Sequence, residues 1–112
     1  MQVITESNIR QVQITIHRYD TFFLRLKGLM FRFSPIKNEG ILLYPCNSIH
    51  MFFMFFPIDV IFLNAKNEVI LTKEAVKPWK VIFPVKQAIA VLELPVGSIS
   101  QYEIQAGSVI NV

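Results

Sequence analysis

The feature that most constrains the fold is a run of apolar and aromatic residues from Ser48 to Leu63. A membrane-spanning helix needs about 20 apolar residues, and this run is shorter and contains the ionisable Asp59. Ile, Val and Phe dominate it, and these residue types favour strands over helices. Pro57 lacks an N–H group and so marks a bend or an edge. The run therefore predicts two strand pieces that join at Pro57 and supply the centre of a core.

The composition indicates one densely packed domain. The chain has 112 residues, of which 53% are hydrophobic and 17% are charged, whereas typical domains have about 45–50% and about 25%. This length fits a single domain over residues 1–112. Part of the apolar surface is available for contact with a partner subunit. The composition is therefore consistent with a homo-oligomer as well as with a well-packed monomer.

Alternation and turn residues predict several further short strands. Val12, Ile14 and Ile16 alternate with polar residues between Asn8 and Tyr19, as expected for a half-exposed strand. Asp20 or Thr21 then suits the cap of a short helix that ends near Gly28. Strands are also predicted over residues 41–44, 59–63, 68–72, 88–94 and 103–112. The predicted fold is all-β, a compact β-sandwich or barrel-like domain with one short helix near residues 21–30.

The charge and the cysteine content indicate few classes of binding partner. The net charge is +3, and its loose spacing gives no strong indication of nucleic-acid binding. The single Cys46 excludes an intrachain disulfide, and the N-terminus MQVITESNIRQ lacks a signal-peptide pattern. We therefore expect a cytoplasmic protein without a membrane span. The P-loop, GxGxxG, CxxC and HExxH motifs are absent, so no cofactor is predicted.

The polar residues of the central run do not form a local site if the run is extended. Cys46, His50 and Met54 are four residues apart, which on a strand is roughly 13 Å per step. Neither a copper site nor a triad of Cys46, His50 and Asp59 can close at that spacing. Asp59 shares a strand face with Ile61. It is either a structural carboxylate bound to backbone N–H groups near Pro57 or a polar anchor at a pocket mouth.

Five sequence blocks resemble the signature of a known family. They are KGLMFR at 27–32, GILL at 40–43, SIHMFFM at 48–54, PIDVIFL at 57–63 and LELPVG at 92–97. In this order they are similar to a small bacterial and archaeal family catalogued as domain of unknown function 192. The resemblance implies a β-sandwich-like fold and marks seven positions, here called the motif residues: Gly28, Met30, His50, Met54, Asp59, Glu93 and Gly97. It implies no established activity.

Three functions are consistent with the sequence. The first is a non-catalytic module that binds an unknown small ligand or peptide near His50, Met54 and Asp59, with Arg25 and Arg32 nearby if the predicted helix packs there. The second is a metal-assisted hydrolase that uses His50 and Asp59. The third is an interaction protein whose apolar surface is buried in a homo-oligomer or against another protein.

Overall fold

A computed structural model describes residues 1–112. The helices are α1 (Phe22–Lys27) and α2 (Ser98–Gln101). The strands are β1 (Gln2–Ile4), β2 (Ile9–Gln11), β3 (Thr15–Tyr19), β4 (Glu39–Leu43), β5 (Ile49–His50), β6 (Ile58–Leu63), β7 (Val69–Val76), β8 (Val81–Ile82), β9 (Ala90–Pro95) and β10 (Val109–Asn111). Neither helix is long and apolar enough to cross a membrane.

The strands form three sheets around one central layer. The central sheet has five strands in the order β3-β4-β9-β6-β7, and only the β3–β4 pair is parallel. A three-stranded antiparallel sheet has the order β10-β1-β2, and β5 pairs with β8. A parallel pair requires a long crossover, and residues 20–38, which include α1, provide it.

Strand β6 is buried on both faces, which sets the layering of the domain. All six of its residues are buried. Because side chains alternate along a strand, Ile61 and Leu63 enter a core shared with the three-stranded sheet. Val60 and Phe62 enter a second core on the opposite face, together with residues from the crossover and from β5. The central sheet is therefore covered on both sides.

The predicted fold class is confirmed, with two differences in detail. The structure is mostly strands, and α1 lies where a helix near residues 21–30 was expected. Thr21 caps α1 by accepting a hydrogen bond from the Leu24 N–H, and Gly28 ends it. The layers are sandwich-like, and no sheet closes into a barrel. Helix α2 was not predicted, because its four residues leave too short a pattern to read.

The predicted extent of the first central strand is wrong. Strand β5 ends at His50, and the chain turns at Phe52 and Phe53. Phe53 has a φ of +59°, which is uncommon for a residue other than glycine. Its carbonyl accepts a hydrogen bond from the Phe31 N–H at 2.9 Å, and the two rings stack with centroids 5.1 Å apart. A tertiary contact thus stabilises this turn, which the local sequence does not predict because it contains no typical turn residue.

Two terminal predictions were also too long. The predicted strand over residues 8–19 is broken between β2 and β3, where Val12 and Ile14 are buried outside any strand. The predicted strand over residues 103–112 is limited to β10, since the chain before it forms turns. In both places the spacing of the apolar residues identifies positions in the core, but the strand pairing is not continuous.

Asp59 connects strands β6 and β7 and helix α2 through hydrogen bonds. It is fully buried on β6, and its Oδ1 accepts a hydrogen bond from the Ala75 N–H at 2.9 Å. Ala75 has a φ of +49° and lies where β7 bulges against β6. The Oδ2 atom accepts from the Ile99 N–H in the first turn of α2 at 2.8 Å. Gly97, the N-cap of α2, has no side chain to cap it, so Asp59 performs that role from another strand.

Substitution Asp59→Ala should lower the free energy of unfolding by about 3 kcal/mol, because the buried Ile99 N–H and the part-buried Ala75 N–H lose their acceptor. Chemical denaturation is the measurement. Asp59→Asn retains one acceptor oxygen and should lose less. The exposed Glu6→Ala is the control and should stay within about 0.5 kcal/mol of the parent protein. A loss below about 1 kcal/mol for Asp59→Ala would contradict this account.

Candidate functional site

An open groove lies between α1 and the β5–β8 pair, and we call it the α1 groove. It has a volume of about 440 Å³, within the usual range for small-molecule sites. Most of its lining is apolar, with polar groups from Arg25, Cys46, Ser48 and His50. Its other lining residues are Phe22, Leu26, Ile49, Val81, Ile82, Phe83 and Pro84. The groove thus combines apolar walls with a few polar groups on one side.

A smaller cavity adjoins the groove, and we call it the Glu93 cavity. Its volume is about 40 Å³, enough for a water molecule or a small polar group. The groove and the cavity share the lining residues Arg25, Leu26, Ser48, Ile49 and His50. The cavity is completed by Lys27, Gly28, Leu29, Leu43, Met54 and Glu93. Four of the seven motif residues, Gly28, His50, Met54 and Glu93, therefore line one small space.

Glu93 is the chemically unusual member of this cavity. It lies on β9 opposite Ile41 and Val60, which belong to the core on the crossover side. Its side chain is buried, and Oε1 has no hydrogen-bond partner. Burial raises the pKa of this carboxyl to about 7, because a buried charge loses its hydration. Glu93 therefore holds its proton more tightly than an ordinary glutamate and can exchange it near neutral pH.

Gly28 lets the end of α1 lie against this carboxyl. Its φ is +47°, and its N–H donates to the Leu24 carbonyl. A Cβ atom at this position would lie 3.3 Å from Glu93 Oε1, closer than ordinary packing allows. A glycine meets both requirements, because it accepts positive φ and adds no side chain.

His50 acts as a link between α1 and the turn that follows β5. Its Nδ1 accepts a hydrogen bond from the Phe52 N–H at 3.2 Å. That contact assigns the ring proton to Nε2, which lies 3.2 Å from the Leu26 carbonyl and donates to it. Both ring nitrogens are therefore bonded to backbone groups, and neither is available as a metal ligand or a base without a rearrangement.

The structure brings together three of the predicted site residues and separates two. Arg25, His50 and Met54 line the Glu93 cavity, because the turn after β5 returns the chain toward His50. Asp59 is bonded to backbone groups on the opposite face of the central sheet. Arg32 is exposed and forms an ion pair with Glu39 at 2.7 Å. His50 and Asp59 therefore do not share a site.

Cys46 is a groove residue without an activating partner. Its Sγ donates a hydrogen bond to the Ser48 carbonyl at 2.9 Å. Burial raises the pKa of the thiol above its usual value, which disfavours the thiolate that nucleophilic chemistry requires. The structure has no group of three or more His, Cys, Asp or Glu side chains placed to hold a metal ion.

A second cleft, which shares no lining residue with the α1 groove, has a similar volume of about 430 Å³. Its lining is mostly polar and includes Arg10 and Glu103, which form an exposed ion pair at 3.4 Å. None of the seven motif residues lines this cleft. The α1 groove and the Glu93 cavity are therefore the better candidate site.

Glu93 was not among the site residues predicted from the sequence. Two signs were available: Glu93 is one of the motif residues, and it is a single carboxylate in the otherwise apolar segment AIAVLEL at 88–94. Which face that carboxylate occupies depends on the strands that flank β9, and strand pairing over such separations is not visible in the sequence. The sequence reasoning weighed Asp59 for the same property, and the structure gives Asp59 two partners and leaves Glu93 Oε1 with none.

The fold and the cavity define a small β-sandwich-like domain with one unpartnered buried carboxyl beneath an apolar groove. The chain belongs to the DUF192 family, described as "Uncharacterized ACR", whose model matches residues 3–112. The resemblance found in the sequence blocks is thereby confirmed.

The chain is similar to archaeal proteins and to a solved bacterial structure. It is 40% identical to a UPF0127 protein of Thermococcus sibiricus over 82% of the chain and 62% of that protein. It is 35% identical to a UPF0127 protein of Pyrococcus furiosus over 88% of the chain and 86% of that protein. A protein of unknown function from Novosphingobium aromaticivorans shares the fold, with a TM-score of 0.83, 23% identity, and coverage of 99% of this chain and 82% of that one. The chain thus spans about three-fifths of the Thermococcus sibiricus relative.

The raised pKa of Glu93 predicts a pH-dependent stability. Between the reference value of 4.5 and the folded value of about 7, the folded state binds more protons, so the free energy of unfolding should fall as pH rises through this window. The expected loss is about 3 kcal/mol. In Glu93→Gln this component should be missing, whereas the exposed Glu74→Gln should keep it. Denaturant unfolding from about pH 4 to pH 8 is the measurement. Parallel pH curves for the parent protein and Glu93→Gln would refute the assignment.

Proposed function

We propose that this protein is a non-catalytic binding module that holds a small ligand in the α1 groove. The ligand has an apolar body that lies between α1 and β8 and a hydrogen-bond-donating head group that reaches the Glu93 cavity. His50 and Arg25 line both spaces, and Met54 lines the cavity. The proposal keeps the predicted site near His50 and Met54 and replaces Asp59 with Glu93.

The observation that carries the proposal is the unpartnered Oε1 of Glu93. A buried polar atom without a hydrogen bond costs about 1–3 kcal/mol, so such atoms are rare in folded proteins. A donor on a ligand, such as an amine or a hydroxyl, would supply the missing bond and recover this energy. An apolar groove of about 440 Å³ next to the carboxyl offers space for the rest of such a ligand.

The absence of an activated group on the groove wall supports binding over catalysis. Nucleophilic catalysis needs a nucleophile, a base in hydrogen-bond reach and a group that orients the base. Cys46 donates its proton to a backbone carbonyl, and the ring nitrogens of His50 are both bonded to backbone groups. We therefore infer that Cys46 and His50 contribute to the shape and polarity of the groove.

A matched set of ligands tests the head-group requirement. Phenethylamine, phenethyl alcohol and hydrocinnamate share an aromatic body and differ in their head groups, which are a cation, a neutral donor and an anion. We expect the amine and the alcohol to shift the backbone amide NMR signals of Leu26, Gly28 and Ile49 at millimolar concentration. The amine should bind more tightly as pH rises past the pKa of Glu93, because the ionised carboxyl attracts a cation.

Glu93→Gln should weaken binding of the amine about tenfold, since the charge-assisted hydrogen bond is lost. It should weaken binding of the alcohol less than about threefold, because glutamine retains a carbonyl acceptor. Glu103→Gln, at an exposed carboxyl of the second cleft, is the control and should change neither affinity. The proposal fails if none of the three ligands binds, or if hydrocinnamate binds best and Glu93→Gln has no effect.

A further inference from the structure

An exposed aromatic surface next to the α1 groove is not explained by ligand binding. We call it the aromatic face and define it by Phe23, Phe31, Phe33, Phe53, Phe55 and Trp79. Phe23 is 79% exposed, Phe33 77% and Trp79 54%. Large apolar side chains exposed together mark a surface that contacts another phase or another molecule.

Direct ring contacts join five of the six side chains into two clusters, whereas the ring of Phe23 in α1 lies against Phe22. Phe33 stacks on Phe55 with centroids 4.8 Å apart, and Phe31 stacks on Phe53 at 5.1 Å. Phe53 also meets the edge of Trp79 at 5.0 Å. The backbone N–H of Trp79 donates a hydrogen bond to the Met51 carbonyl at 2.7 Å, which links the loop of Trp79 to the turn after β5. The aromatic side chains therefore form a preorganised surface.

The charge of the surrounding chain is mostly positive. The aromatic face is built from residues 21–58 and 75–92, in which Glu39 is the only Asp or Glu. Seven of the eleven Lys and Arg residues lie in these segments: Arg25, Lys27, Arg32, Lys37, Lys77, Lys80 and Lys86. Arg32 is paired with Glu39, and Lys77 and Lys80 flank Trp79 as exposed cations. An exposed aromatic surface with this charge complements an anionic surface.

We propose that the aromatic face docks on an anionic lipid bilayer surface. Phe and Trp side chains enter the interfacial layer, and Lys27, Lys77 and Lys80 contact anionic headgroups. Trp favours the interfacial region of a bilayer, and Trp, Phe and Leu form the buried face of segments that lie on a membrane. Each Lys or Arg near an anionic membrane strengthens binding about fivefold. The chain lies on the membrane without crossing it, which agrees with the lack of a helix that could span one.

Two features favour a lipid surface over single-stranded nucleic acid. Bases need free ring faces on which to stack, whereas Phe31 and Phe53, and likewise Phe33 and Phe55, stack on each other. Leu24, which follows Phe23 in α1, is an exposed aliphatic residue, and a bilayer interface accommodates an aliphatic side chain that a nucleic acid would not use. A second copy of the chain would bury the apolar rings, but it would bring like charges together.

The single tryptophan makes the test direct. Vesicles of equimolar phosphatidylcholine and phosphatidylglycerol should shift Trp79 fluorescence to shorter wavelength and carry the protein into the pellet on centrifugation. Vesicles of phosphatidylcholine alone should bind at least tenfold more weakly, and added salt should weaken binding to the anionic vesicles. Equal binding to both kinds of vesicle would overturn the charge component of the proposal.

Paired variants separate this face from general surface effects. Lys77→Gln with Lys80→Gln should weaken binding about 25-fold, and Phe23→Ser with Phe33→Ser should remove most of the fluorescence shift. The controls, Lys66→Gln in the β6–β7 turn and Ile9→Ser on β2, change exposed residues outside the face and should bind as the parent protein does. All of these positions are exposed, so unchanged melting temperatures are expected and are checked first.

Three results would overturn the proposal. One is a lack of vesicle binding by the folded parent protein. Another is light scattering that shows a dimer which Phe23→Ser with Phe33→Ser dissociates, since the face would then be an interface between copies. The third is competition by single-stranded RNA at lower concentration than anionic vesicles. None of these readouts depends on Glu93, so the result is independent of the outcome for the groove ligand.

Discussion

The burial of β6 on both faces is the constraint on which the rest of the structure depends. A strand with no solvent-exposed side needs a layer on each side, and this domain builds the two layers differently. The three-stranded sheet and α2 cover one side. The crossover with α1, the turn after β5 and the β5–β8 pair cover the other. The first layer provides packing, and the second contains the groove and the exposed aromatic rings.

Two buried carboxyls show how this layering separates structure from a candidate site. Val60 is paired with Glu93 and Asp59 with Leu94, so the two carboxyls lie one step apart along the β6–β9 ladder and point to opposite faces. Asp59 meets two N–H groups on the packing side. Glu93 lines a cavity on the other side, and its Oε1 has no hydrogen-bond partner. The same chemical group is thus fully bonded in one layer and lacks a hydrogen-bond partner in the other.

The sequence was sufficient for the fold class and insufficient for the site, and particular residues show why. Alternation in PIDVIFL and the cap at Thr21 are local patterns, and both the strand and the helix formed there. The turn at Phe53 is held by contacts with Phe31, which local propensities do not contain. It brought Met54 to His50, although an extended strand would have kept them apart. Glu93 became a candidate only when its register with Ile41 and Val60 was known.

The parallel pairing of β3 with β4 has a consequence for how this domain can diversify. A hairpin between these strands would have left the sheet bare on one side, whereas a parallel pair obliges the chain to travel back along the sheet. Residues 20–38 form this return connection. They are not paired in a strand, so they need not alternate between the two faces of a sheet. Insertions or substitutions in this segment can reshape one wall of the groove while the strand ladder keeps its register. The crossover is therefore a segment that evolution or protein engineering can change while the strands keep their arrangement.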